Sequence, residues 1–139
     1  MPAMSYFLAK SDPKDYGLAD LERDGRTVWD GVRNPQAVKA IREMSPGDRI
    51  FLYHSGGEPA VVGLGRVAAA PQPDPKDPRA WVFEIEFVRR LEPAVSLREI
   101  KDSGLFTDWA LVRQPRLSTM RAPEEFVSWM RQRRPSAGL

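Results

Sequence analysis

Between positions 29 and 37 the chain reads Trp29-Asp30-Gly31-Val32-Arg33-Asn34-Pro35-Gln36-Ala37, an aromatic ring, a flexible glycine, a guanidinium and a helix start within a few residues. An ordinary core segment would stay apolar over this length, so the composition predicts a recognition loop. Asn34 suits a helix N-cap through its side-chain oxygen, and Pro35 suits the first helical position, where its missing N–H would have had no intrahelical partner. The loop then ends on free N–H groups and a partial positive charge. Such an end favours a polar or anionic ligand with a flat ring beside Trp29 and Arg33. A core role is the alternative for Trp29, and capping alone is the alternative for Asn34.

The rest of the chain offers little catalytic chemistry. It has no cysteine, which excludes disulfides, thiolate zinc sites and cysteine nucleophiles, and its single histidine, His54, cannot form a multi-histidine metal centre. Carboxylates remain able to hold a hard cation, but no metal or other cofactor is expected. His54 has no nucleophile beside it, so it reads as pocket lining or as a hydrogen-bonded structural histidine. Gly63-Leu64-Gly65 lacks the third glycine and following helix of a phosphate loop and reads as strand. No apolar run is long enough to span a membrane, and no leader pattern opens the chain. A cytoplasmic, membrane-free protein is the expectation, with a monomer favoured.

These residues are positioned by one compact domain, since 139 residues with 42% hydrophobic content suffice for a core without a metal or disulfide. The net charge of +2 is unevenly spread: residues 113–139 carry six arginines against Glu124 and Glu125, hence +4, and the rest carries −2. A basic end of this kind suits phosphate contact, although a solvated helix end explains it equally well.

Periodicity predicts an opening strand over Ser5 to Lys10, a short helix over Tyr16 to Arg23 stopped near Gly25, and a helix over Pro35 to Met44. A buried strand follows over Arg49 to His54, then a loop at 55–58 and a strand from Ala60 to Ala69. Four prolines and two aspartates between Pro71 and Pro78 predict an exposed loop. Alternation resumes with Trp81, Phe83, Ile85 and Phe87 on one strand face and Val82, Glu84, Glu86 and Val88 on the other. Ser96-Leu97-Arg98-Glu99 opens a short helix that Gly104 ends. Trp109 to Val112 reads as a further strand, and Pro123 to Arg133 as a helix burying Phe126, Val127 and Met130. The last five residues, 135–139, are expected to lack order. Strands with inserted helices and no strand-helix-strand regularity predict an α+β domain around a mixed or antiparallel barrel.

Seven ordered segments carry a family resemblance. They are Tyr6-Phe7-Leu8-Ala9-Lys10-Ser11-Asp12-Pro13, Trp29 to Asn34, Gly47-Asp48, Tyr53-His54-Ser55, Val61-Val62-Gly63, Val95-Ser96-Leu97 and Arg116-Leu117-Ser118. Together they resemble the EVE domain of the thymocyte nuclear protein family, a branch of the PUA-like superfamily, over roughly residues 5–131, which implies a domain spanning 4–134. Phe7 stands where that family usually has Trp, and Asp12 where it usually has Glu. The resemblance implies a PUA-like pseudo-barrel of mixed and antiparallel strands with short flanking helices and a deep pocket for a modified base. It further implies that Lys10, Ser11, Trp29, Gly31, Val32, Asn34, Tyr53, His54, Ser55, Leu117 and Ser118 line the pocket, and that Arg33 and Arg116 hold phosphates.

The resemblance implies a non-enzymatic module that takes a modified nucleobase, a modified cytosine in DNA ahead of RNA, flipped into an aromatic-lined pocket. Two alternatives stay open: an enzyme acting on a nucleotide or modified base, with His54 as acid or base and Asp30 or Lys10 assisting, and a protein-interaction accessory domain.

Overall fold

A computed structural model describes residues 4–139. Strand β1 (Tyr6–Ser11) is followed by helix α1 (Leu18–Asp24), β2 (Arg26–Val32), α2 (Pro35–Arg42), β3 (Arg49–His54), β4 (Ala60–Asp74) and β5 (Asp77–Ser96). Helices α3 (Leu97–Asp102) and α4 (Ala110–Arg113), strand β6 (Thr119–Arg121) and helix α5 (Glu124–Arg133) complete the domain.

The strands form one mixed sheet in the order β2-β5-β4-β3-β1-β6. Only β1 and β3 run parallel, with Phe7 opposite Ile50 and Ser11 opposite His54; the other pairings are antiparallel. Helix α2 carries Ala37, Val38, Ala40 and Ile41 on its buried face and touches β4, β5 and β6, strands from both halves of the sheet order. The mixed sheet with its short helices is an α+β domain, PUA-like as expected. One apolar core joins the elements, with Phe7, Phe51, Phe83 and Phe126 fully buried. Truncating such a ring to Ala costs about 3–5 kcal/mol, so the sheet and α5 hold together through these contacts.

Four sequence expectations change. Residues 29–32 belong to a strand: Trp29 pairs with Phe83 and Val32 with Trp81, and the register shifts between them. Gly31, at φ +77°, supplies the left-handed turn of that bulge, which is why a glycine interrupts an otherwise strand-forming run. Residues 71–78 are no loop but the end of a long β4–β5 hairpin, with Gln72 opposite Val82, Pro73 opposite Trp81 and Asp74 opposite Asp77. Proline is tolerated there because the ladder is irregular, with register shifts on both sides of Gln72 and Pro73. Asp74 and Asp77 accept from the N–H groups of Lys76 and Arg79, at 2.8 and 3.0 Å, and close the turn.

The segment predicted as a strand over Trp109 to Val112 is helical from Ala110. A four-residue apolar run does not distinguish strand from helix by period. Its context decides: the Trp109 indole N–H donates to the Arg121 carbonyl at 2.9 Å, and its ring packs 4.5 Å from Phe126. At the C-terminal end, Pro135–Ala137 forms a 3-10 turn with Ala137 buried, and Arg131 donates to the Leu139 carbonyl at 2.8 Å.

Candidate nucleic-acid interface

The end of β1, the loop that follows it and the open side of β2 enclose a cavity of about 330 Å³, lined by Lys10, Ser11, residues 12, 15 and 16, and Thr27 to Asp30. That size falls at the lower end of ordinary ligand pockets, roughly 300–1,000 Å³. Trp29 forms its inner wall. The indole is stacked on Phe83 at 6.2 Å and meets Tyr16 edge-on at 6.2 Å, and only 9% of the residue is exposed. The two readings of Trp29 are therefore not exclusive, because the residue belongs to the core and also to the cavity lining.

Opposite Trp29, each β1 side chain is already held. The Ser11 hydroxyl donates to the Tyr16 carbonyl, tying the strand end to the loop. The Lys10 ammonium lies 5.4 Å over the Tyr53 ring and donates to the Pro115 carbonyl at 3.0 Å, while its main-chain N–H donates to Ser118 at 2.8 Å. Burial lowers the Lys10 pKa from its ordinary value and raises that of Tyr53 beneath it. Segment 115–118 thus flanks the cavity through Lys10.

His54 stands behind this wall. Its Nε2 accepts the Leu18 N–H at 3.0 Å, so the first free donor of α1 is satisfied by an imidazole. Acceptance requires the neutral ring, and burial lowers the His54 pKa, with Asp12 opposing that shift in part. Gly63 of β4 lets α1 come this close: a Cβ there would meet Leu18 Cδ1 at 2.4 Å and the Arg89 carbonyl at 3.1 Å.

Of the residues expected to line the pocket, Lys10, Ser11 and Trp29 share its wall. Tyr53 is buried under Lys10, and Ser55, itself exposed, donates its main-chain N–H to the Ser11 carbonyl at 3.0 Å. Gly31, Val32, Asn34 and Leu117 lie outside the wall. Val32 and Leu117 are buried, and Leu117 borders a different depression beside α2. Asn34 caps α2, its Oδ1 accepting from Gln36 N at 2.9 Å and Ala37 N at 3.2 Å. Arg33 is paired with Asp77 at 2.7 Å, whereas Arg116 is exposed. The sequence reading missed Asp15, Tyr16, Thr27 and Val28, and it included Asp12 and Asp30 in its motifs without placing them in the pocket. The resemblance stopped at Pro13 and resumed at Trp29, and only the fold brings these residues together.

The C-terminal arginines are committed elsewhere. Arg133 pairs with Glu99 at 3.0 Å, and Arg134 donates to the Pro93 and Ala94 carbonyls at 2.6 and 3.0 Å. Among the described residues no group of three or more histidines and carboxylates is arranged to hold a metal, and no helix is long and apolar enough to cross a membrane.

The family model of the EVE domain matches residues 5–133. The chain belongs to the EVE domain family. Human thymocyte nuclear protein 1 is 27% identical over 171 residues, covering 95% of this chain and 76% of that protein. The zebrafish (Danio rerio) protein of the same name is 30% identical, covering 90% and 70%. Among solved structures, a protein of Agrobacterium tumefaciens superposes with a TM-score of 0.88 at 31% identity, over 97% of this chain and 94% of that one. The human THYN1 protein, solved in complex with DNA containing 5-methylcytosine, superposes with a TM-score of 0.82 at 25% identity, over 91% and 95%. That EVE domain is a DNA-binding one.

Proposed function

We propose that this EVE domain is a non-enzymatic reader, a cytoplasmic monomer that binds nucleic acid by taking a modified base into the cavity beside Trp29. A modified cytosine in DNA is the ligand this reading favours, in line with the DNA held by the human relative. The observation that carries it is the placement of Trp29: an indole packed on Phe83 in a residue that lines a cavity of base-accommodating size. A ring held by Phe83 on one side is pre-oriented for contact with a second flat ring, and base–aromatic stacking contributes about 1–3 kcal/mol per base. Unstacking the base from DNA costs a few kcal/mol, so phosphate contacts must supply part of the binding. Arg116, exposed within the segment that flanks Lys10, would supply one; Arg33 would first have to leave Asp77 or bind with it.

His54 has a structural task that a proton-shuttling role would interrupt, since Nε2 is occupied by the Leu18 N–H. The test is fluorescence anisotropy with DNA carrying one 5-methylcytosine or one cytosine, followed by mass spectrometry of the DNA after long incubation. Tighter binding of the methylated DNA with no mass change supports the reader. Conversion of the DNA to product overturns it in favour of an enzyme, and equal, weak retention of both overturns the modified-base reading.

A further inference from the structure

Strand β2 lies at one end of the sheet and pairs only with β5, so its other side is open. The ladder fixes which of its main-chain groups are free. The Phe87 N–H donates to the Gly25 carbonyl at 2.9 Å, and the same register sets Thr27 opposite Ile85, Val28 opposite Glu84 and Trp29 opposite Phe83. In an antiparallel pair alternate residues exchange both hydrogen bonds, so positions 25, 27 and 29 bond to β5, and Val28 turns its N–H and C=O outward. Four consecutive residues, Thr27 to Asp30, border the cavity. Side chains alone do not produce that pattern, because successive ones point to opposite faces. The cavity lies along the strand edge itself.

On the opposite wall most donors are engaged. The Ser11 hydroxyl proton is given to the Tyr16 carbonyl, the Tyr16 hydroxyl donates to Asp24 at 2.8 Å, and Lys10 directs one of its N–H donors at Pro115. Acceptors remain. Asp12 already accepts the Lys14 N–H at 2.9 Å, whereas Asp15 and Asp30 are exposed at the cavity and take part in no ion pair among the described residues. Of these two, Asp30 adjoins the free edge at Val28.

Resting on the base-pocket reading above, we propose that the open edge of β2 reads the hydrogen-bonding edge of the base. The Val28 N–H donates to a ring nitrogen, and the Asp30 carboxylate accepts from the adjacent exocyclic amino group. An ionised carboxylate only accepts, so a keto oxygen in place of the amino group faces it with lone pair against lone pair. The keto counterpart also carries a proton on that ring nitrogen, which meets the Val28 N–H donor to donor. The cavity therefore selects an amino-bearing base over its keto counterpart, with Asp30 as the side chain that contributes to this selectivity.

The pair 5-methylcytosine and thymine tests it, since both carry the 5-methyl group and they differ at the amino or keto edge. Single-stranded, fluorophore-labelled oligonucleotides identical except for one central 5-methylcytosine, thymine or abasic site are titrated with the wild-type chain, Asp30→Asn and Asp15→Asn. The wild type should prefer 5-methylcytosine over thymine by about tenfold or more, the scale of one good edge-reading contact. Asp30→Asn should reduce that ratio by about threefold or more while melting at the same temperature, because the amide offers a donor as well as an acceptor, while the Val28 N–H still faces the thymine N3–H donor to donor. Equal wild-type affinity for the two bases, with both above the abasic control, overturns this inference and leaves the base pocket standing. A ratio left unchanged by Asp30→Asn, or one that collapses in Asp15→Asn alone, also overturns it. If all three oligonucleotides bind equally, the base-pocket reading falls and this inference falls with it.

Discussion

The Nε2 atom of His54, at the end of β3, accepts the main-chain N–H of Leu18 at 3.0 Å, which makes the single imidazole of the chain the partner of the first turn of α1. Ser11, the ladder neighbour of His54, binds the Tyr16 carbonyl just before that helix. Strand ends, helix start and cavity wall are thus one hydrogen-bonded unit.

This unit is expected to weaken in mild acid. Burial depresses the His54 pKa in the folded state, so as pH falls below about 6.5 the unfolded chain takes up a proton that the folded one refuses. Stability is full above that pH and declines as pH drops toward the folded-state pKa, below which this group causes no further loss. Urea unfolding at pH 7.5, 6.5, 5.5 and 5.0 should show the decline. His54→Gln, whose amide oxygen can accept from Leu18, should show a flatter profile; parallel profiles would dissociate His54 from the effect.

Substitution of Trp29 should touch stability and binding together. Trp29→Ala opens a cavity against Phe83 and is expected to cost about 3–5 kcal/mol of stability, a large share of a typical domain's 5–15. Trp29→Phe keeps an aromatic ring on Phe83 and should remain folded with a loss of about 0.5–3 kcal/mol. Its affinity for DNA containing 5-methylcytosine, measured well below its melting temperature, should still fall. Unchanged affinity in the folded Phe variant would confine Trp29 to the core.

Asn34 is expected to act on stability alone. Both acceptor positions of its Oδ1 serve α2, so Asn34→Ala should cost about 1 kcal/mol and Asn34→Asp almost nothing. Neither should change base affinity, because the side chain lies outside the cavity wall. Thermal melts and anisotropy on the same samples check both parts. A loss of affinity in Asn34→Asp without a loss of stability would restore a ligand role for the amide.

Gly63→Ala should loosen the cavity from a distance. The added Cβ meets Leu18 Cδ1 and the Arg89 carbonyl, and overpacking of this sort costs about 1–3 kcal/mol. Because α1 must shift to make room, Tyr16 shifts with it and DNA affinity should drop. Full affinity in a destabilised variant would show that the position of α1 does not shape the site.

Phosphate contact should be visible in salt. Arg116→Ala is expected to weaken binding to all sequences alike and to reduce the slope of log affinity against log salt by about 1. An unchanged slope would remove Arg116 from the DNA interface.

Much of this molecule follows from local sequence. The alternation from Trp81 to Phe87 specified the strand that carries Phe83 and Ile85 inward, and Asn34-Pro35 and Ser96 fixed two helix starts by side-chain capping. The ordered motifs from Tyr6 to Ser118 were enough to indicate the family and its α+β pseudo-barrel, because several short signals in sequence order are hard to match by chance. Local rules failed where pairing partners decide conformation. The prolines of 71–78 argued for a loop until β5 was present to pair with them, and Trp29 to Val32 looked like a loop because its bulge glycine resembles a turn. Tertiary structure alone decided which residues form the cavity. Tyr16, Val28 and Asp30 meet Lys10 and Ser11 only because β2 ends the sheet order with an unpaired edge, while His54 holds α1 against β1. A free strand edge is a property of the whole sheet, set by which strands do not come to pair with it, and no stretch of sequence carries that information by itself.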